Sequence, residues 1–149
     1  MIGLIQRVSE ASVRVDGEII AAIGRGLLVL VAVERTDGPQ EAARLAERLL
    51  ATRVFPDDAQ RMNLSVRDVA GSLLLVPQFT LAADTSGGLR PGFSRAAPPA
   101  VAAELFERLV EHIRVSGISH ARGRFGAHMQ VALVNDGPVT FWLTAEPKT

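Results

Sequence analysis

Apolar and polar positions change period several times along the chain, and each change marks an element. Residues 2–8 mix apolar side chains with Gln6 and Arg7 and predict an opening strand. Residues 12–15 and 18–23 flank Asp16-Gly17, a dipeptide that tolerates the positive φ angles of a tight hairpin turn. Residues 26–33 are apolar on both faces, which predicts a strand buried in the middle of a sheet. The period then lengthens. Ala42, Ala43, Leu45, Ala46, Leu49 and Leu50 recur at three and four residues, one stripe of a helix, with Asp37 as the expected cap and Gln40 completing a capping box. Residues 55–65, with Pro56, Asp57 and Asp58, predict a loop, and residues 72–76 a second buried strand closed by Pro77. Residues 82–99 hold three Gly, three Pro and two Arg and predict a long ordered loop. A second helix follows, with Val101, Leu105, Phe106, Leu109, Val110 and Ile113 on its stripe and Glu104 and Arg108 spaced as an exposed pair. Residues 129–134 and 139–143 predict two last strands joined by Asn135-Asp136-Gly137-Pro138. No internal repeat or long linker interrupts the pattern. About seven strands and two main helices on one core predict a single mixed α/β domain over residues 1–149, and the hairpins argue against a purely parallel sheet.

Composition narrows the function classes. At 149 residues, 48% hydrophobic and 21% charged, the chain has the make-up of one ordinary globular domain rather than a disordered scaffold. Sixteen basic and sixteen acidic side chains leave no net charge, which excludes a polybasic protein held on nucleic acid by bulk charge. Cysteine is absent, removing disulfides, thiolate metal sites and cysteine nucleophiles together. The apolar start meets Gln6 and Arg7 at once, unlike an export signal, and the run 26–33 is far below the roughly 20 residues that span a bilayer. A soluble cytoplasmic protein without membrane contact is the expectation.

The ordinary catalytic inventory is thin. His112, His120 and His128 stand eight residues apart, a spacing that matches no familiar metal site; solvated surface is the plainer reading, with His112 on a helix flank and His120 in a loop. Asp57-Asp58 suits either a cation or a polar loop. Gly24-Arg25-Gly26 is a turn before a strand and not a dinucleotide fingerprint, because no helix follows. Two segments carry more. Pro77-Gln78-Phe79-Thr80-Leu81 places polar groups directly after a buried strand. Asn135-Asp136-Gly137-Pro138-Val139-Thr140 can hold bare carbonyls and amides against a ligand, since Gly removes Cβ and Pro fixes φ, or can be only a turn. Arg114, Arg122 and Arg124 fall between Glu111 and Asp136 with no acid among them, and Arg90 and Arg95 lie in a second acid-free stretch. They suit phosphates or pair with acids elsewhere. Phe125, between Arg124 and Gly126, is placed to stack on a base or to fill the core.

Gln78-Phe79-Thr80-Leu81 with Ala82-Ala83-Asp84-Thr85, and Asn135-Asp136-Gly137-Pro138-Val139-Thr140-Phe141, closely resemble the two signature motifs of D-aminoacyl-tRNA deacylases. The resemblance extends to the opening segment, residues 26–33, the Arg90-Pro91 and Phe93-Ser94 loop, and Gly123-Arg124-Phe125 with Met129-Gln130-Val131, so it covers nearly the whole chain. It implies a mixed, antiparallel-rich, barrel-like sheet in a homodimer. The implied activity, without metal or cofactor, is hydrolysis of the ester between a D-amino acid and the terminal ribose of tRNA, and removal of glycine mischarged on tRNA(Ala). It further implies a cis Gly137–Pro138 peptide that projects into the partner's active site and rejects L-aminoacyl esters. Arg7 is implied to support that bend, and Phe125 and Met129 to line the pocket of the terminal adenosine. Gln78, Phe79 and Thr80 are the implied catalytic segment, their amides expected to form an oxyanion hole. The family's first motif begins with Ser where this chain has Pro77, so both a hydroxyl and an N–H are missing there. Three mechanisms stay open: water activated by the 2′-hydroxyl of the substrate, Thr80 as a nucleophile for which no adjacent base is evident, or a dimeric nucleic-acid-binding module without hydrolysis.

Overall fold

A computed structural model describes residues 1–146. Eight strands, β1 (Ile2–Val15), β2 (Glu18–Ile23), β3 (Gly26–Ala32), β4 (Phe55–Pro56), β5 (Met62–Leu64), β6 (Ser72–Pro77), β7 (His120–Arg122) and β8 (Gln130–Thr144), alternate with two helices, α1 (Pro39–Ala51) and α2 (Pro99–Val115). The central sheet runs β2-β1-β3-β6-β7, with β8 on the other edge of β1. Its first half is antiparallel and its second half, β3-β6-β7, is parallel. β2 curls back close to β6 and β7, so the sheet is a nearly closed barrel.

The continuous apolar runs of β3 and β6 have a direct cause: both faces are buried. Leu27, Val29, Val31, Leu73 and Leu75 face the helices and meet Leu45, Leu49, Phe106 and Leu109. Leu28, Leu74 and Val76 face the barrel interior with Val8 and Val13. The two strands are also pressed together, since a Cβ on Gly26 would stand 1.8 Å from the carbonyl oxygen of Ser72. No larger residue fits there.

Several expected boundaries move. β1 is one strand where two segments were expected, because β8 pairs along nearly all of it while β3 and then β2 occupy its opposite edge. The two expected last strands are likewise one, β8, for the same reason. The expected loop at residues 55–65 contains the short β4–β5 ribbon, and His120 lies in β7 rather than in a loop. Asp37 does not cap α1. Gly38 does, with Glu41 at the third position accepting from its amide, while Asp37 binds the amide of Glu34 and the amino terminus. On α2 the apolar stripe buries Leu105, Phe106, Leu109, Val110 and Ile113 as expected, but Val101 points outward and Ala102 takes its place. The Asp16-Gly17 hairpin is as predicted, with φ of 50° and 80° at its two turn residues.

Candidate active site

Where β6 ends, the chain opens onto a cavity of about 420 Å³. The carboxyl ends of parallel strands are the usual place for a ligand in such a sheet. Pro77, Gln78 and Phe79 form one wall, Phe125 to Met129 another, and Ala97, Pro99 and Ala102 the side toward α2. Val76 and Val131 make an apolar base. No carboxylate lines it, and His128 is its single titratable side chain among the described residues. The cavity thus suits an uncharged, flat, apolar-faced group with polar functions near Gln78.

Pro77 is tolerated because of its register. β6 lies parallel to β3, and the Gln78 amide donates to Val31 O at 2.7 Å. Amides alternate in direction along a strand, so position 77 faces the β7 side, where pairing has ended at Arg122. No ladder bond is lost. The same hydrogen bond corrects the expected oxyanion hole: the Gln78 amide is committed to the sheet. Phe79 and Thr80 begin a 3₁₀ turn (Phe79–Ala82), whose first amides have no partner inside it. Among the described residues those two N–H groups donate to no backbone carbonyl. The Thr80 hydroxyl accepts from the side-chain amide of Gln78, and among the described residues no base is hydrogen-bonded to it. Beyond the turn, hydrogen bonds from the Ser86 hydroxyl and amide hold the Asp84 carboxylate below its ordinary pKa range. Backbone bonds in both directions between Asp84 and Gly92 close the base of the long loop. Across it Phe79 packs against Phe93 in a tilted pair, ring centres 5.1 Å apart and planes at 52°.

The second motif is an excursion from β8. Gln6 pairs with Thr140 and Val8 with Asn135, so the four residues between them oppose Arg7 alone and leave the ladder. Arg7 fills the gap. Its Nε donates to Asp136 O at 2.8 Å and its Nη1 to Val54 O at 2.7 Å, tying the bend to the body of the fold. Asn135 closes the neck: its Oδ1 accepts from the Val139 amide at 2.7 Å and its Nδ2 donates to Thr140 Oγ1 at 2.9 Å. The sequence reading did not single out Asn135, although an Asn whose side chain binds nearby backbone is a familiar turn signal. Gly137 has φ of +154°, and a Cβ there would meet Val139 Cγ2 at 2.6 Å and Val139 N at 2.8 Å. The Gly137–Pro138 peptide is cis, and both residues are exposed.

One chain therefore gathers Gln78, Phe79, Phe125 and Met129 around the cavity, with Thr80 next along the turn. Arg7, Gly137 and Pro138 form a separate constellation outside its lining. Phe125 packs on the core, as one of its two readings expected, and it also lines the cavity. The arginines divide: Arg114 pairs with Glu111 and Arg122 with Glu107, whereas Arg124 has no ion-pair partner among the described residues. His112 and His120 lie away from the cavity lining, and no group of three metal-ligating side chains is assembled among the described residues. Asp57 binds the amides of its own turn. No helix among the described residues is long and apolar enough to cross a membrane.

Comparison with known proteins points to one family over nearly the whole chain. The family model for D-Tyr-tRNA(Tyr) deacylase matches residues 4–144. A D-aminoacyl-tRNA deacylase of Alkalilimnicola ehrlichii is 60% identical over 147 residues, covering 99% of this chain and 98% of that one. Its counterpart from Sodalis glossinidius is 59% identical over 143 residues, covering 96% and 99%. Among solved structures, a c-Myc DNA Unwinding Element Binding Protein superposes with a TM-score of 0.93 at 37% identity, covering 99% of this chain and all of that one. A probable eukaryotic D-amino acid tRNA deacylase shares the fold at a TM-score of 0.81 and 18% identity.

Proposed function

The chain belongs to the D-Tyr-tRNA(Tyr) deacylase family, and we infer from that membership and from its cavity how it hydrolyses D-aminoacyl-tRNA. The terminal adenosine enters beside Phe125 and Met129, whose apolar surfaces suit a base face. The ester carbonyl turns toward the unspent amides of Phe79 and Thr80. As water attacks, those dipoles stabilise the developing oxyanion, usually the largest electrostatic contribution to acyl transfer. The vicinal 2′-hydroxyl of the ribose activates the water, so no protein side chain has to serve as base.

Chirality is read by exclusion. The exposed Gly137-Pro138 bend of a second copy enters the cavity and meets the substrate α-carbon. An L side chain strikes backbone, a D side chain points away, and glycine carries none, so glycine mischarged on tRNA(Ala) is also hydrolysed. Main chain braced by Arg7 cannot step aside as a flexible side chain would. The observation that carries this reading is the separation itself: the braced bend projects into solvent and is absent from the lining of its own cavity. A dimer is further supported by β8, a long edge strand with Phe141 and Trp142 exposed, a surface that invites a covering partner. On this reading residues 1–149 act as one domain.

Thr80 as nucleophile is the weaker alternative, because its hydroxyl is engaged by an amide and no base among the described residues is hydrogen-bonded to it. Single-turnover deacylation of D-Tyr-tRNA and L-Tyr-tRNA tests the whole reading. The D substrate is expected to react at least about a hundredfold faster, roughly 2.8 kcal/mol of discrimination. A D substrate ending in 2′-deoxyadenosine should react poorly, and Thr80→Ala should remain active. Complete loss of activity in a folded Thr80→Ala protein supports the nucleophile instead. Inertness toward every substrate leaves a binding module.

A further inference from the structure

Beside the cavity, on the far side of Phe125, lies a second recess of about 440 Å³ lined by Ile20, Glu107, Arg122, Gly123, Arg124 and Phe125. We propose that this recess is a phosphate subsite, with Arg124 as its cation, for the phosphodiester entering the cavity on the 5′ side of the terminal nucleoside; the proposal rests on the deacylase reading above. Three observations meet here. The two spaces share Phe125 as a wall, so a nucleoside in the first has the second recess beside it, within reach of its 5′ phosphodiester. Arg124 and Phe125, both lining the recess, lie on one turn that is closed by the Ala127 amide on Arg124 O at 3.2 Å and by positive φ at Gly126. The guanidinium groups of Arg122 and Arg124 differ in commitment. Arg122 is locked in a fork on both oxygens of Glu107 and lies over the Phe106 ring, 5.1 Å from its centre. Arg124 is exposed and has neither an ion pair nor a side-chain hydrogen bond among the described residues. Two cations against the Glu107 carboxylate leave the recess one net positive charge, in a chain that is neutral as a whole. An arginine fork without a protein partner fits a phosphate oxygen pair.

The subsite positions the substrate RNA and does no chemistry, which sets the test. Wild type, Arg124→Gln and Arg124→Lys are compared in two ways: affinity for uncharged tRNA over a range of NaCl, and deacylation of D-Tyr-tRNA against D-tyrosyl-adenosine, which has no phosphate. The Gln variant is expected to bind tRNA about tenfold more weakly, equivalent to about 1.4 kcal/mol, with a salt slope smaller by about 0.7, one single-strand phosphate contact. Its KM for D-Tyr-tRNA rises while kcat and the rate on D-tyrosyl-adenosine are unchanged. Arg124→Lys keeps the wild-type slope. An unchanged slope in Arg124→Gln, or equal slowing on both substrates, overturns the proposal. If wild type hydrolyses neither substrate, the deacylase reading fails by itself, and the affinity series still decides the role of Arg124.

Discussion

At Gly137 the chain adopts a backbone angle that side chains disfavour, in a space that a Cβ would share with Val139. Gly137→Ala is therefore expected to destabilise the bend by about 1–3 kcal/mol and to narrow the gap between D and L substrates, because the displaced main chain no longer fills the excluded volume. Thermal unfolding and paired single-turnover rates check both effects; an unaltered D/L ratio in a protein shown to be destabilised counts against the bend as selector. Side-chain identity made this site partly legible. Two motifs and a glycine-proline pair are readable from residue names alone. The loss of the Gln78 amide to Val31 is not, since it depends on which edge of β6 faces β3. Arg7 shows the same limit: only the slip between β1 and β8 reveals that it alone opposes four residues.

At the scale of elements, α2 is joined to β7 by Arg122, which binds Glu107 and covers Phe106. The hydrogen bonds from Arg122 hold Glu107 below its ordinary pKa range. A carboxylate whose pKa is lowered by folding adds stability above its unfolded value, and loses it as pH falls through the folded one. Both partners are a third or more exposed, 35% for Arg122 and 58% for Glu107, so water screens the pair and its share is small. Glu107→Gln should thus lower stability at neutral pH by only ~0.5 kcal/mol and flatten the acid limb of the stability curve below about pH 4. Denaturant unfolding from pH 3 to 7 measures this; equal losses at both ends of the range contradict it. The strands were legible for a comparable physical reason. β3 and β6 announce burial on both faces through unbroken apolar runs, and the α1 and α2 stripes carry their own period. Boundaries were obscured where tertiary pairing overrides local signals: β1 and β8 run through polar residues and a glycine-proline pair because each is the other's partner.

The whole molecule is an unequal arrangement of two parts: a cavity at the carboxyl end of β6, and a rigid bend on an edge strand that leaves its own cavity untouched. Fold class follows from pattern and composition, whereas the distance between the motifs is a property of the assembled chain. The resemblance already implies that the second motif serves a partner's site, and within one chain the fold keeps Gly137 and Pro138 out of the cavity lining. If a twin supplies the missing wall, a heterodimer reports it directly. One subunit carries Ala127→Trp, which fills the cavity, with a native bend; the other carries an open cavity and Gly137→Ala. The sole working cavity then belongs to the subunit with the altered bend. The account predicts wild-type preference for D-Tyr-tRNA over L-Tyr-tRNA in this heterodimer, because the native bend arrives from across the interface. Relaxed preference equal to that of the Gly137→Ala homodimer would contradict it.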